Sequence, residues 1–305
     1  MRTAELLSRV DGLRSGRTPF VLATVVRAER PTSAKPGDCA LVLADGTVDG
    51  FVGGVCAEST VRLESLRLLQ AGESGLLRIT PHAGSPEPAE EGVRTVGNPC
   101  LSGGTLEIFL EAMVPATLVT VYGDAPVARA LLRVGGALEY DVRPGGTEIA
   151  PDTSAVVVAA HGRDVDGRDE ATVLRDALAA GVGYVALVAS PRRAAGVLDE
   201  LAALGVAPAD RARVHAPAGL DIGARSAPEI ALSVFADIVA RRPRVHLPGA
   251  PNVPAGAPEV AVDPVCGMSV AVTPAGISAQ HAGTTTWFCG TGCRQAFLDD
   301  PTRFR

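Results

Sequence analysis

From Pro115 onward the chain alternates apolar runs with segments of helical period, and this alternation limits what the chain can fold into more than any other feature. ATLVTVYG reads as a buried strand, DAPVARALLRVGG as a helix ending in glycine, ALEYDV and SAVVVAAHG as further strands. The helix DEATVLRDALAAG, the strand GYVALVAS and the helices RRAAGVLDELAALG and APEIALSVFADIVARR follow. Strands separated by helices run parallel, because each crossover returns the chain to the same end of the sheet.

A chain of 305 residues is too long for one ordinary core, so seams are expected. Residues 115–242 form a Rossmann-like parallel-sheet unit of α/β class. Residues 1–114 read as a small α+β domain. It opens with an amphipathic helix carrying Leu6, Leu7, Val10 and Leu13 on one face, followed by strands at Phe20–Val26, Cys39–Leu43 and Thr47–Phe51 around an Asp45-Gly46 turn. A helix from about Ala57 and strands near Leu76–Thr80 and Thr105–Glu111 complete it, with HAGSPEPAEEG as an acidic surface loop. Residues 243–260 hold prolines at 243, 248, 251, 254 and 258, which makes them an extended, semi-rigid linker. Residues 261–305 are then a small Cys-rich module able to swing on that linker.

Hydrophobic content of 47% with 20% charged residues describes a globular protein in water, and a formal charge of −6 excludes nucleic acid as the main partner. Neither a signal-type apolar run nor a membrane span is read from the sequence, so the expected location is cytoplasmic with no membrane partner. Six cysteines in such a chain are read as thiols or metal ligands rather than a disulfide framework.

In FVGGVCAES the strand breaks at Gly53-Gly54 and the chain enters a helix, placing Cys56 at or near the helix N-terminus. Backbone N–H groups there face an anion, and the helix dipole favours a thiolate. The plainer alternative is a turn with a small buried thiol. NPCLSGG places Cys100 in a second loop of the same type, and the two are expected to form opposite lips of one pocket. Cys39, on a strand, is read as core. At these residues the chain resembles the xanthine dehydrogenase accessory family, XdhC/CoxI. VRAERPTSAKPGDCALVLADGTVDGFVGGVCAESTVR, with Cys56 and Glu58, is similar to its first domain, and NPCLSGGTLEIFLE to its second Cys-Gly-Gly segment. HAPAGLDIGARSAPEIALSVFADIVARR and YVALVASPRRAAGVLDEL are similar to its second domain. The resemblance implies a maturation factor that binds the molybdenum cofactor, or its dinucleotide form, protects it during sulfuration and hands it to an apo molybdenum hydroxylase. Cys56 is then the first choice for a molybdenum ligand and Cys100 the second.

The Rossmann-like unit departs from ordinary dinucleotide binders. Gly123-Asp124-Ala125-Pro126-Val127-Ala128 keeps only the first glycine and the final alanine of G-x-G-x-x-A, and Asp124 adds charge where a phosphate would sit. Asp141 is placed to reach a ribose hydroxyl and Arg143 a phosphate; both are equally read as solvated strand-end charges. His161, followed by Asp164, Asp166 and Asp169, lies where a parallel strand ends and ligands bind, or is a turn with a satisfied imidazole. Arg192 and Arg193 offer an anion site at a helix start.

In the tail, Cys266, Cys289 and Cys293, with His281 or Met268 as a fourth group, approach a tetrahedral sulfur-rich site. DPVCGM, WFC and CRQAF with DP resemble the YHS family of metal-handling modules. Thiolate and thioether ligands suit Cu(I), and a Cys3His set suits Zn(II). Zinc as a mere staple for a module with little core is the alternative. The combined reading is an assembly factor for a molybdenum hydroxylase of xanthine dehydrogenase or carbon monoxide dehydrogenase type, with a cysteine desulfurase or other sulfur donor as further partner and a homodimer as the ordinary oligomeric expectation. A chaperone is expected rather than a stand-alone enzyme. The competing readings are an NAD(P)-dependent oxidoreductase and a heavy-metal sensor or metallochaperone.

Overall fold

The computed structural model describes residues 3–81, 92–98, 104–160, 167–241 and 258–304. It divides into two compact units, one made of Met1–Pro115 together with Gly249–Arg305, the other of Ala116–Pro248.

In the first unit, α1 (Thr3–Ser15) precedes β1 (Phe20–Glu29), β2 (Cys39–Leu43), β3 (Val48–Gly50), α2 (Val55–Ala71), β4 (Gly75–Thr80), β5 (Val93–Gly97) and β6 (Thr105–Met113). The six strands form one sheet in the order β3-β2-β1-β6-β4-β5, antiparallel except for the parallel β4–β5 pair. Strand β5 was not expected from the sequence. Its residues VRTVG are largely half-buried or exposed, as suits a short edge strand with little apolar signal. Helix α1 does what its period implies: Leu6, Val10 and Leu13 pack with Phe20 and Leu41. Helix α2 covers the sheet with Ala57, Val61 and Leu69.

The second unit contains β7 (Leu118–Tyr122), α3 (Pro126–Ala137), β8 (Asp141–Pro144), β9 (Thr153–Val158), α4 (Glu170–Ala179), β10 (Tyr184–Leu187), α5 (Pro191–Ala203), α6 (Pro208–Arg211), β11 (Val214–His215) and α7 (Ala227–Arg241). All its strand pairs are parallel, in the order β11-β10-β9-β7-β8, so the α/β, Rossmann-like reading holds. Every residue of β7, β9 and β10 is buried. On β9, Val156 and Val158 face a cluster with Leu174 and Leu201 of α4 and α5, whereas Ala155 and Val157 face Leu131, Phe235 and Ile238 of α3 and α7. Two-sided burial is the reason those strands read as unbroken apolar runs. The second strand lies later than expected: α3 continues through Ala137, and β8 begins at Asp141.

The tail carries β12 (Val260–Val262), β13 (Ser269–Ala271), β14 (Ile277–His281), β15 (Thr284–Phe288) and α8 (Thr291–Asp299), closed by a 3-10 turn over Pro301–Phe304. Strands β12 and β13 form one antiparallel pair, β14 and β15 another. Residues 242–257, which hold most of the proline-rich linker, lie outside the described residues. The tail itself is packed against the first domain. Ala271 sits on Leu63 and Leu66 of α2, and the turn at Gly46 abuts Thr273. A Cβ on Gly290 would meet Val55 Cγ1 at 2.9 Å, so α8 starts close against the start of α2.

One buried polar network ties the second unit together. Tyr184 on β10 donates its hydroxyl to Asp237 on α7 at 2.9 Å, Arg241 donates Nε to the same carboxylate at 2.8 Å, and His215 stacks on the Tyr184 ring at 4.7 Å. Burial, then the Asp237 hydrogen bond, pushes the Tyr184 phenol well above its ordinary range, so it stays a donor. Removing the acceptor by Asp237→Ala is expected to cost about 2–3 kcal/mol in chemical denaturation, and Tyr184→Phe about 1 kcal/mol. Burial and Arg241 hold the His215 pKa below 6.5. The unfolded chain therefore binds the His215 proton more readily, and stability falls as pH drops through about 6.5 towards the folded value. In His215→Phe this part of the acid sensitivity should vanish from the difference between the two stability–pH curves.

Candidate thiol site

The tail cysteines are gathered by one buried carboxylate. Asp263, 0% exposed, stands where β12 ends. Its Oδ1 accepts the Val265 N–H at 2.9 Å and its Oδ2 accepts the Cys289 N–H at 2.8 Å. The backbone turns back over it, with Gly267 N donating to Asp263 O at 2.8 Å and Asp263 N to Met268 O at 2.9 Å. Asp263 thereby fixes the turn that carries Cys266 to the end of β15, which carries Cys289. Cys293 lies in the first turn of α8, immediately beyond.

The Cys289 sulfur lies 3.6 Å from that of Cys266 and 3.6 Å from that of Cys293. With one Asp263 oxygen, these groups all fall within 4.8 Å of one another. A tetrahedral metal–thiolate centre with bonds of about 2.3 Å has sulfur–sulfur edges of about 3.8 Å, so the spacing is that of ligands around a metal. The thiols are set up to carry protons when no ion is bound. Burial raises Cys266 and pushes Cys293 up to about 12; Cys289 is raised by its hydrogen-bond partner Cys56 and then by burial. Burial alone would raise Asp263 too, but the N–H groups of Cys289 and Val265 outweigh it and hold the carboxylate below its usual range.

His281, expected as a fourth ligand, is elsewhere. It pairs with Thr284 across the β14–β15 hairpin and meets Phe297 edge-on at 5.8 Å. Met268 is buried in an apolar cluster with Val270 and Cys289. Sequence spacing missed Asp263, although DPVC offered it: an acid two residues before the first amide it binds is a common turn signal.

The group that joins the tail cysteines from outside is Cys56. Helix α2 begins at Val55, two residues earlier than expected, so Cys56 lies in its first turn. Its thiol hydrogen-bonds with that of Cys289, and its side chain packs, as do those of Cys266, Trp287 and Cys293, against the cluster of Met268, Val270 and Cys289. Gly53 is buried, whereas Gly54 is exposed, caps α2 and leaves open space where a side chain would stand. Glu58 is engaged by Arg62 at 2.8 Å, and Arg62 also donates Nε to Gly46 O at 2.7 Å. Cys39 is half-buried on β2, its thiol donating to Gly37 O at 3.2 Å. Cys100 lies outside the described residues.

In the second unit, Gly123 ends β7 at the point where the chain leaves for β8 on one side and β9 pairs on the other. A Cβ there would clash with the backbone of Ala159 and Ala160, so the chain's own approach requires this glycine. Asp141 opens β8 opposite Leu118, at the amino-terminal end of the sheet, and pairs with Arg143 through contacts of 2.9 and 2.7 Å. Arg193 bridges the ends of β9 and β10, donating to Ala160 O and Val188 O at 3.0 Å and pairing with Glu170. His161, Asp164 and Asp166 lie outside the described residues.

Asp263→Ala would leave the Cys289 and Val265 N–H groups without their acceptor, an expected loss of about 2–3 kcal/mol. Trp287, the one tryptophan of the chain, reports it as an earlier urea midpoint in its fluorescence.

The chain is similar to several known proteins. The chain is 27% identical over 256 residues to the uncharacterized protein YqeB of Escherichia coli K12, a match covering 74% of this chain and spanning only 44% of that relative's length. It is 24% identical over 279 residues to the molybdenum cofactor insertion chaperone PaoD of the same strain, covering 76% of this chain and 86% of PaoD. A crystal structure of a xanthine dehydrogenase from Bacillus halodurans covers 79% of this chain and is itself covered to 96%, at 16% identity and a TM-score of 0.35, too loose a superposition to argue from. Residues 119–238 match the XdhC Rossmann domain and residues 13–80 match the XdhC and CoxI family, to which the chain belongs.

Proposed function

We propose that this protein binds the molybdenum cofactor as cargo, holds it while a sulfur donor of the cysteine desulfurase class sulfurates it, and inserts it into a molybdenum hydroxylase of xanthine dehydrogenase or carbon monoxide dehydrogenase type. The observation that carries the reading is the first turn of α2, where a half-buried thiol, Cys56, stands beside the exposed glycine cap Gly54 in a family that includes a molybdenum cofactor insertion chaperone among its relatives. The exposed glycine at the start of α2 lets the phosphate or pyrophosphate of the pterin approach a helix N-terminus, and the thiol supplies a soft ligand to the metal. The tail adds a second metal-binding element, for zinc or copper, through Cys266, Cys289 and Cys293.

The oxidoreductase reading has less support. Gly123 is accounted for by the Ala159 backbone, and Asp141 begins its strand at the end of the sheet opposite to that where nucleotides bind.

The test is co-production of a molybdenum hydroxylase with the full-length chain, its Cys56→Ser variant, or neither, measuring molybdenum per client and client turnover. The wild-type chain should raise both, and Cys56→Ser should lose at least about tenfold of that gain, equivalent to about 1.4 kcal/mol. Clients equally loaded with and without the chain would overturn the proposal.

A further inference from the structure

We propose that Cys56 completes a four-thiolate site with Cys266, Cys289 and Cys293, taking a tetrahedral divalent ion of the Zn(II) class and locking the tail onto α2. Three vertices are set by the tail: the two 3.6 Å sulfur–sulfur spacings match the edges of such a centre. The fourth must come from a group already in contact with them. His281 is turned to Phe297, and Asp263, which accepts the Val265 and Cys289 N–H groups, is the carboxylate that positions the thiols. Cys56 touches Cys289 and packs among the same residues as Cys266 and Cys293.

The surroundings suit an anionic centre. Cys56 lies in the first turn of α2 and Cys293 in the first turn of α8, so two helix N-termini bear on the same cluster. Each contributes the equivalent of about half a positive charge. The contacts of Ala271 with Leu63 and Leu66, and of Gly290 with Val55, hold the two halves in place. Loading a divalent ion replaces four S–H bonds by four metal–sulfur bonds and releases the four protons to water; no oxidant or reductant is involved.

Taking the cofactor-carrier reading as given, the ion has a further consequence: it withdraws Cys56 from the cargo. The tail is then a metal-dependent cover, closed when loaded and releasing Cys56 when the ion leaves.

The site itself is tested without the cofactor. The reduced, chelator-stripped full-length chain is titrated with Co(II), and the thiolate charge-transfer band is recorded. The wild type should show a tetrahedral four-thiolate spectrum. Cys56→Ser should lose about a quarter of the band, one ligand in four, and bind at least about tenfold more weakly. Asp263→Asn, a positioning variant, should keep the band while weakening affinity by about 10–100-fold. In parallel, alkylation of the unmutated chain with and without Zn(II), mapped by mass spectrometry, should show Cys56 protected together with Cys266, Cys289 and Cys293. Protection of the tail cysteines alone, an unchanged band in Cys56→Ser, or no protection at all would overturn the proposal. None of these readouts depends on molybdenum, so failure here and failure of cofactor delivery are separate results.

Discussion

Helix α2 has no face left for solvent along most of its length, and the first unit is organised around that constraint. Ala57, Val61 and Leu69 are taken up by the sheet, and Leu63 and Leu66 by the tail through Ala271. A helix apolar on two sides must be covered on two sides, and burying a leucine contributes about 1.5–3 kcal/mol. The tail is too small to build much core of its own, so α2 supplies what it lacks. The same docking delivers the start of α2, with Cys56, to the cysteines of the tail. Packing and chemistry therefore depend on a single contact surface.

Within that surface the decisive polar group is Asp263. A buried carboxylate is costly unless hydrogen-bonded, and here two backbone amides satisfy it. Because one amide belongs to the Cys266 turn and the other is that of Cys289, the condition that keeps the charge tolerable also sets the distance between two thiols. Burial raises the Cys266 and Cys293 thiols as well. Without an ion the tail thiols carry their protons; in the proposed loaded state, proton loss is offset by metal–sulfur bonding and by the two helix N-termini.

The legible part of this protein was the part written in periodicity. The β7, β9 and β10 runs are buried on both faces, and α1 has one apolar stripe, so sequence patterns map onto them directly. Strand β5 escaped because an edge strand of five mostly polar-facing residues has little pattern to show. The late start of β8 escaped because α3 runs past its glycines as far as Ala137, and Gly135 is tolerated there only since Val142 and Phe235 crowd it too closely for a side chain. The thiols of the tail were legible from spacing, but their partners were not. Cys56 and Cys289 are far apart in the chain, and nothing local announces that they meet. One clue was available: Leu63 and Leu66 lie off the stripe set by Ala57 and Val61, which asks for a second covering layer.

On the reading proposed above, why the first domain should keep a thiol at the start of α2 and let the tail reach it is a question of competition for one ligand. A thiol left open at a helix start invites oxidation or adventitious metal. Covering it with three further thiols lets a single ion satisfy all four sulfurs at once, while the contacts of Ala271 and Gly290 make the cover fit without the ion doing all the holding. A cover held by apolar contacts of modest area and by one exchangeable centre can be displaced by a partner that competes for either. That balance is what the proposed carrier needs, since it must protect the group it uses and also give it up.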